Sequence, residues 1–118
     1  MLANDAPLPK PVQSRVPVII GGAGPKRTPA LAARFATEFN IGFRSEDVVA
    51  ETFDGVRRAC EQLGRDPGTL GTSVALPTVV ATDDADYLRR LAAIDADPDT
   101  FAEVNIAGTP EAAVEKLL

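Results

Sequence analysis

The sequence predicts an α/β chain built from parallel βαβ units. Three observations predict it. Short apolar runs rich in β-branched residues, at residues 16–20 and 73–81, lack polar alternation, as strands covered on both faces do. A long amphipathic stretch with helix start and stop signals lies between them. The spacing between successive runs suits a helical crossover and is too long for a hairpin.

The elements follow in order. Residues 1–15 carry Pro7, Pro9 and Pro11 and little periodicity, so they form an extended segment ahead of one domain, residues 16–118. Residues 16–20 form the first strand, with Pro17 tolerable near its start. The run ends in Gly21, Gly22, Ala23 and Gly24. Thr28 then serves as N-cap and Pro29 as first helical residue. Leu31, Ala32, Phe35 and Ala36 give that helix its apolar face. Phe39, Asn40 and Ile41 read as a second strand. Ser45 caps a long helix with Glu46 and Asp47 in its first turn, where the dipole favours acids. Its stripe is Val49, Phe53, Val56, Cys60 and Leu63, and Gly64 is its stop. Residues 73–81 form a third strand, with a bulge expected at Pro77. Thr82, Asp83 and Asp84 open another helix. Residues 95–99 read as a polar turn. Thr109 and Pro110 start a last helix.

Composition removes several classes of function. The net charge of −5 argues against a nucleic-acid footprint and against an anionic membrane surface. There is no histidine, which removes Ser-His and Cys-His catalysis and the commonest metal ligand. Cys60 is the sole cysteine, so no internal disulfide forms. It lies on an apolar stripe, as a buried structural thiol does. A reducing cytoplasm fits. No metal site and no catalytic acid or base is expected. Asp47, Glu51, Asp54 and Glu61 read as a solvated helix face, and Asp83, Asp84 and Asp86 as helix-start acids.

One motif carries chemistry. A strand that runs into Gly21, Gly22, Ala23 and Gly24 and then a helix is an anion site in principle. The glycines let backbone N–H groups approach a phosphate, and the helix start supplies free donors and partial positive charge. Lys26, Arg27 and Thr28 add side-chain contacts. The motif is neither GxGxxG nor a Walker sequence. A small doubly wound nucleotide-binding domain needs an acid ending its second strand, and Asn40 stands there instead.

The segment PLPKPVQSRVPVIIGGAGPKRTPALAARFATEFNIGF, residues 7–43, resembles a stretch of the luciferase-like monooxygenases, above all their deazaflavin-dependent members. VRRACEQLGRDPGTLGTSVALPTVV, residues 56–80, and AGTPEAAVEKL, residues 107–117, continue the resemblance in order. It implies part of a (β/α)8 TIM barrel, the region of strands five to seven. The first four strands and the eighth fall outside the match. It implies a cofactor, the deazaflavin F420 or FMN, whose phosphate is held by Gly21, Gly22, Ala23 and Gly24, with Arg27 and Thr28 as helpers and Asn40 facing cofactor or substrate. It also implies a truncated oxidoreductase, inactive alone. The alternative is a non-catalytic half-barrel module for assembly. In either case the barrel-interior face, with Val18, Ile20, Val74, Leu76 and Val79, is expected to be uncovered and to drive pairing into a homodimer or larger.

Overall fold

The computed structural model describes residues 9–42 and 44–118. Residues 1–8, over half of the expected extended segment, lie outside the described residues. Residues 9–18 run without helix or strand and are exposed.

The first half is a three-stranded parallel sheet covered by two helices. Strands β1 (Ile19–Gly21), β2 (Glu38–Gly42) and β3 (Gly71–Ala75) lie side by side in chain order. Helix α1 (Arg27–Phe35) joins the first pair and α2 (Glu46–Gln62) the second. Phe39 and Ile41 point to one face of β2 and are buried against Ala32, Ala33, Ala36, Val56 and Cys60 of that region. Both helices therefore cover the same face. A parallel sheet wound in one direction has this arrangement, whereas a doubly wound sheet carries helices on both faces.

The buried side of α1 differs from the expected stripe. Ala32, Ala33 and Ala36 face the core, while Leu31 is 40% and Phe35 53% exposed. Small alanine side chains let α1 lie close to β2 and α2, which the bulkier residues would prevent. The Arg34 guanidinium instead covers the Phe35 ring at 4.9 Å.

The strand expected at 16–20 begins three residues later. Pro17 has no N–H to give. The Thr37 hydroxyl accepts from the Val18 N–H at 2.9 Å and donates to its carbonyl at 3.0 Å, so these two groups are satisfied outside the ladder.

Helix α2 ends as the sequence predicts. Gly64 takes φ of +68°, its N–H donates to the Glu61 carbonyl, and Arg65 N–H donates to that of Cys60. This is a Schellman ending. Arg65 then reaches across to the end of α1. Its Nη1 donates to the carbonyls of Ala33 at 3.0 Å and Ala36 at 2.9 Å, and its Nη2 to that of Thr69 at 3.1 Å. One guanidinium thus satisfies helix-end carbonyls and ties α1 to the 3-10 turn Pro67–Thr69 that leads into β3.

The expected third strand is two strands. Pro77 breaks it instead of bulging it, because proline cannot donate to a ladder. Residues 73–75 belong to β3. After it, β4 (Thr78–Val80) pairs in parallel with β5 (Ile106–Gly108) in a second sheet. The Pro77 carbonyl starts that sheet by accepting from Ile106 N–H at 3.1 Å. Between β4 and β5 run α3 (Asp84–Ala93) and α4 (Pro98–Val104), and α5 (Pro110–Leu117) follows.

Helix α4 and strand β5 were not expected. The signal for α4 was present: Asp97 accepts from the N–H groups of Asp99 and Thr100, with Pro98 next. It is the cap-then-proline pattern that Thr109 and Pro110 also show. Among the described residues the five strands do not close into a barrel. Among the described residues no helix is long and apolar enough to cross a membrane.

The uncovered sheet face is also not the expected one. Ile20 packs against the core on the helix side. Val74 is in register with buried Ile41 and shares its face, although it is 42% and Val18 40% exposed, so two of the residues expected to be uncovered are. The opposite face carries Glu38, Asn40 and Ser73, with Ile19 at its margin, 61% exposed. It is largely polar, so self-association no longer follows from an apolar interior.

Candidate functional site

The glycine turn sits where β1 ends and α1 begins. Gly22 takes φ of +137°, which L side chains rarely adopt. Its N–H donates to the Asn40 carbonyl at 3.4 Å, anchoring the turn to β2. A side chain is disfavoured at Gly22 by that backbone angle and at Gly24 by the closeness of Thr28. A Cβ on Gly22 would meet Thr28 Cγ2 at 3.5 Å, and one on Gly24 would meet Thr28 Oγ1 at 3.0 Å. The Thr28 side chain therefore points back into the turn.

Thr28 does not cap the helix. Helix α1 starts two residues earlier than expected, at Arg27, with Lys26 in the N-cap position and no side-chain hydrogen bond there. Pro29 is third in the helix. Lys26 is not yet helical, the helix begins at Arg27, and Thr28 is already inside the first turn. Its hydroxyl is free for another purpose.

First-turn N–H groups of a helix have no partner within the helix. In α1 no side chain supplies one and no acid stands in the first turn. Among the described residues α1 differs in this from the other four helices. Helix α2 has Glu46 and Asp47 in its first turn. Helices α3, α4 and α5 have the capping side chains of Asp83, Asp97 and Thr109, each with an acid following. The start of α1 offers donors and positive potential to an outside group.

The other expected residues are placed as follows. Gly21, Gly22, Ala23, Gly24 and Thr28 come together in the turn. Arg27 lies in a groove between α1 and α2, beside Leu31, Arg34 and Leu63. Asn40 adjoins the turn through its backbone and is in register with Gly21. Its side chain lies on the uncovered sheet face, where Nδ2 donates to Ser73 Oγ.

Arg58 escaped the sequence reading. It lines a cavity of about 190 Å³ on the outer side of the turn, with Ala23, Gly24, Pro25, Glu51 and Thr52. It also borders Lys26. Its position on α2's charged face gave no sign of this. Helical spacing says which face a residue is on but not which loop that face meets.

The arrangement can hold an anion such as a phosphate monoester. Backbone donors, the Thr28 hydroxyl and nearby Lys26 and Arg58 all favour negative charge. Glu51 of α2, which lines the same cavity as Arg58, opposes it.

The chain belongs to the luciferase-like monooxygenase family, whose model matches residues 5–114. Comparison with curated proteins and with solved structures returned no match. The family typically binds a flavin-type cofactor.

Proposed function

We propose that this chain is the part of a flavin- or F420-dependent luciferase-like oxidoreductase that holds the cofactor phosphate. One observation carries the reading. The glycine turn opens onto a helix start with neither cap nor acid, and Thr28 turns its hydroxyl into that turn. Gly21, Gly22, Ala23 and Gly24 keep the approach clear, and the backbone donors left for a ligand lie beyond Gly22, whose own N–H goes to the Asn40 carbonyl. Thr28 supplies a hydroxyl. Arg27 could serve only by swinging from its groove, so Arg58 and Lys26 are the better placed cations.

The one-directional winding of β1, β2 and β3 supports a segment of a (β/α)8 barrel, corresponding to strands five to seven. A bound cofactor would supply hydride transfer or oxygen activation. These residues would bind and orient its phosphate end. Taken alone, the 118 residues are expected to show no turnover. Self-association remains part of the proposal on a different ground, the unpaired outer edges of β1 and β3. Sedimentation at tens of micromolar checks it, and a clean monomer contradicts it.

The test is a titration with F420 and with FMN, followed by fluorescence anisotropy, with and without excess inorganic phosphate. The reading expects saturable binding that phosphate relieves. A folded chain that binds neither cofactor nor phosphate leaves the assembly module as the surviving reading.

A further inference from the structure

Helices α1 and α2 leave a groove on the outside of the layer they form. It starts at the cavity beside the glycine turn and continues past Pro29, Gly55 and Arg58 into a space of about 280 Å³. From there Ala30, Ala59 and Gln62 lead into one of about 340 Å³ beside Leu31 and Leu63. Small residues line its middle, so another backbone can come close. Leu31 is 40% and Leu63 58% exposed at its far end.

The groove is positive on an acidic chain. Residues 16–37 carry Lys26, Arg27 and Arg34 and no acid. Arg58 adds a cation from α2. Among the described residues no carboxylate pairs with any of these four. Glu51 lines the groove only beside the glycine turn.

The other end of the chain has the opposite character. Residues 83–118 hold nine acids against three bases. Helix α5 turns Ala113 inward. Helical spacing puts Glu111, Val114 and Glu115 on a common face, and all three are exposed. Neither glutamate has a cationic partner among the described residues. Lys116, the single base of the helix, is turned back onto α4, where its Nζ donates to the Ala102 carbonyl at 2.8 Å. Helix α3 is a poorer match to a positive groove, because Arg89 and Arg90 neutralise its Asp86. Lengths agree as well: α5 spans about 12 Å and α1 about 14 Å.

We infer that the α1–α2 groove takes helix α5 of a second copy of this chain, with Glu111 and Glu115 meeting its cations and Val114 its apolar lining. Each copy carries both halves of the contact, so it is either returned within a pair or passed on to a third copy. This contact is independent of the phosphate cradle and of strand-edge pairing.

The test is sedimentation velocity of the full chain at low salt, from tens to hundreds of micromolar, with circular dichroism to show that each variant is folded. Arg34→Glu spoils the groove and Glu115→Lys spoils the helix. Both positions are exposed and lie outside the phosphate cradle. Each variant is expected to weaken association by about tenfold or more, since it sets like charges against each other. Mixed in equal amounts, the two keep one intact groove and one intact α5 between them, and are expected to pair one to one. Variants that associate as wild type does overturn the inference and leave strand-edge pairing standing. Loss with Arg34→Glu alone means that the groove takes another segment, which overturns α5 as its occupant. Variants that are each monomeric and do not pair on mixing overturn it too. A wild type that stays monomeric throughout overturns this contact and edge pairing together.

Discussion

Helices α1 and α4 begin in opposite ways. At α4, Asp97 accepts from two backbone N–H groups and Asp99 adds negative charge to the first turn. That helix start is complete in itself. At α1 the N-cap is Lys26, no side chain closes the turn, and the preceding glycines keep the approach clear. The same backbone physics operates at both. The difference is whether the chain satisfies its own donors or leaves them for a ligand, and the unsatisfied start is where function is to be sought.

The largest effect is expected from closing the approach. Gly22→Val places a branched side chain at φ of +137° and against Thr28. The strain is roughly 1–3 kcal/mol. Phosphate binding should fall more than tenfold, read by calorimetry, with the α4 region unchanged in hydrogen exchange.

Arg65→Ala comes next and acts on stability. It strips several carbonyls at the end of α1 and the 3-10 turn of their donor. A loss of about 2–3 kcal/mol is expected in denaturant unfolding. If unfolding is unchanged, water replaces the guanidinium without penalty and the clamp has been overvalued.

Giving α1 the start that α4 has should move two properties in opposite directions. Lys26→Asp supplies a cap, which stabilises a helix by about 1 kcal/mol. The same carboxylate competes for the donors and repels phosphate. Thermal stability should rise while phosphate affinity drops. Removing the cap from the other helix, Asp97→Ala, should lower thermal stability with no change in phosphate affinity. If both variants shift binding alike, the two helix starts are not functionally different.

The smallest effect is on pH dependence. The Asp86 carboxyl is held below the ordinary aspartate value by its hydrogen bond to Arg90, and then by that to Arg89. Asp97 is lowered by the N–H of Thr100, then by its hydroxyl. A lowered carboxylate stabilises the folded state fully above its unfolded value, near 4. That contribution is lost as pH falls through the lower folded value. Amides of α3 and α4 should therefore lose exchange protection below about pH 4. Asp86→Asn with Asp97→Asn should flatten that dependence.

Much of this was legible in the sequence. Periodicity and capping residues located α2 with its Gly64 ending, because local signals there agree with the tertiary packing. The glycine turn was visible as a strand running into a helix start. What was not legible depended on neighbours distant in sequence. Pro77 sends the chain into a second sheet because the Ile106 N–H is there to donate to its carbonyl, and nothing near residue 77 announces residue 106. Thr28 looked like a cap because threonine before proline usually is one. The true start at Arg27 is set by the turn's own geometry. The face assignment of Ile20 and Val74 depended on sheet register, where a shift of one residue exchanges the two faces.

The central claim concerns the backbone donors of one helix start, so it is best tested at those donors. Backbone amide shifts of the 15N-labelled chain can be followed during titration with inorganic phosphate and then FMN. Saturable shifts confined to Ala23, Gly24, Lys26, Arg27 and Thr28, with the starts of α3, α4 and α5 still, are the predicted result. Shifts spread over the chain, or none at the glycine turn, would contradict it.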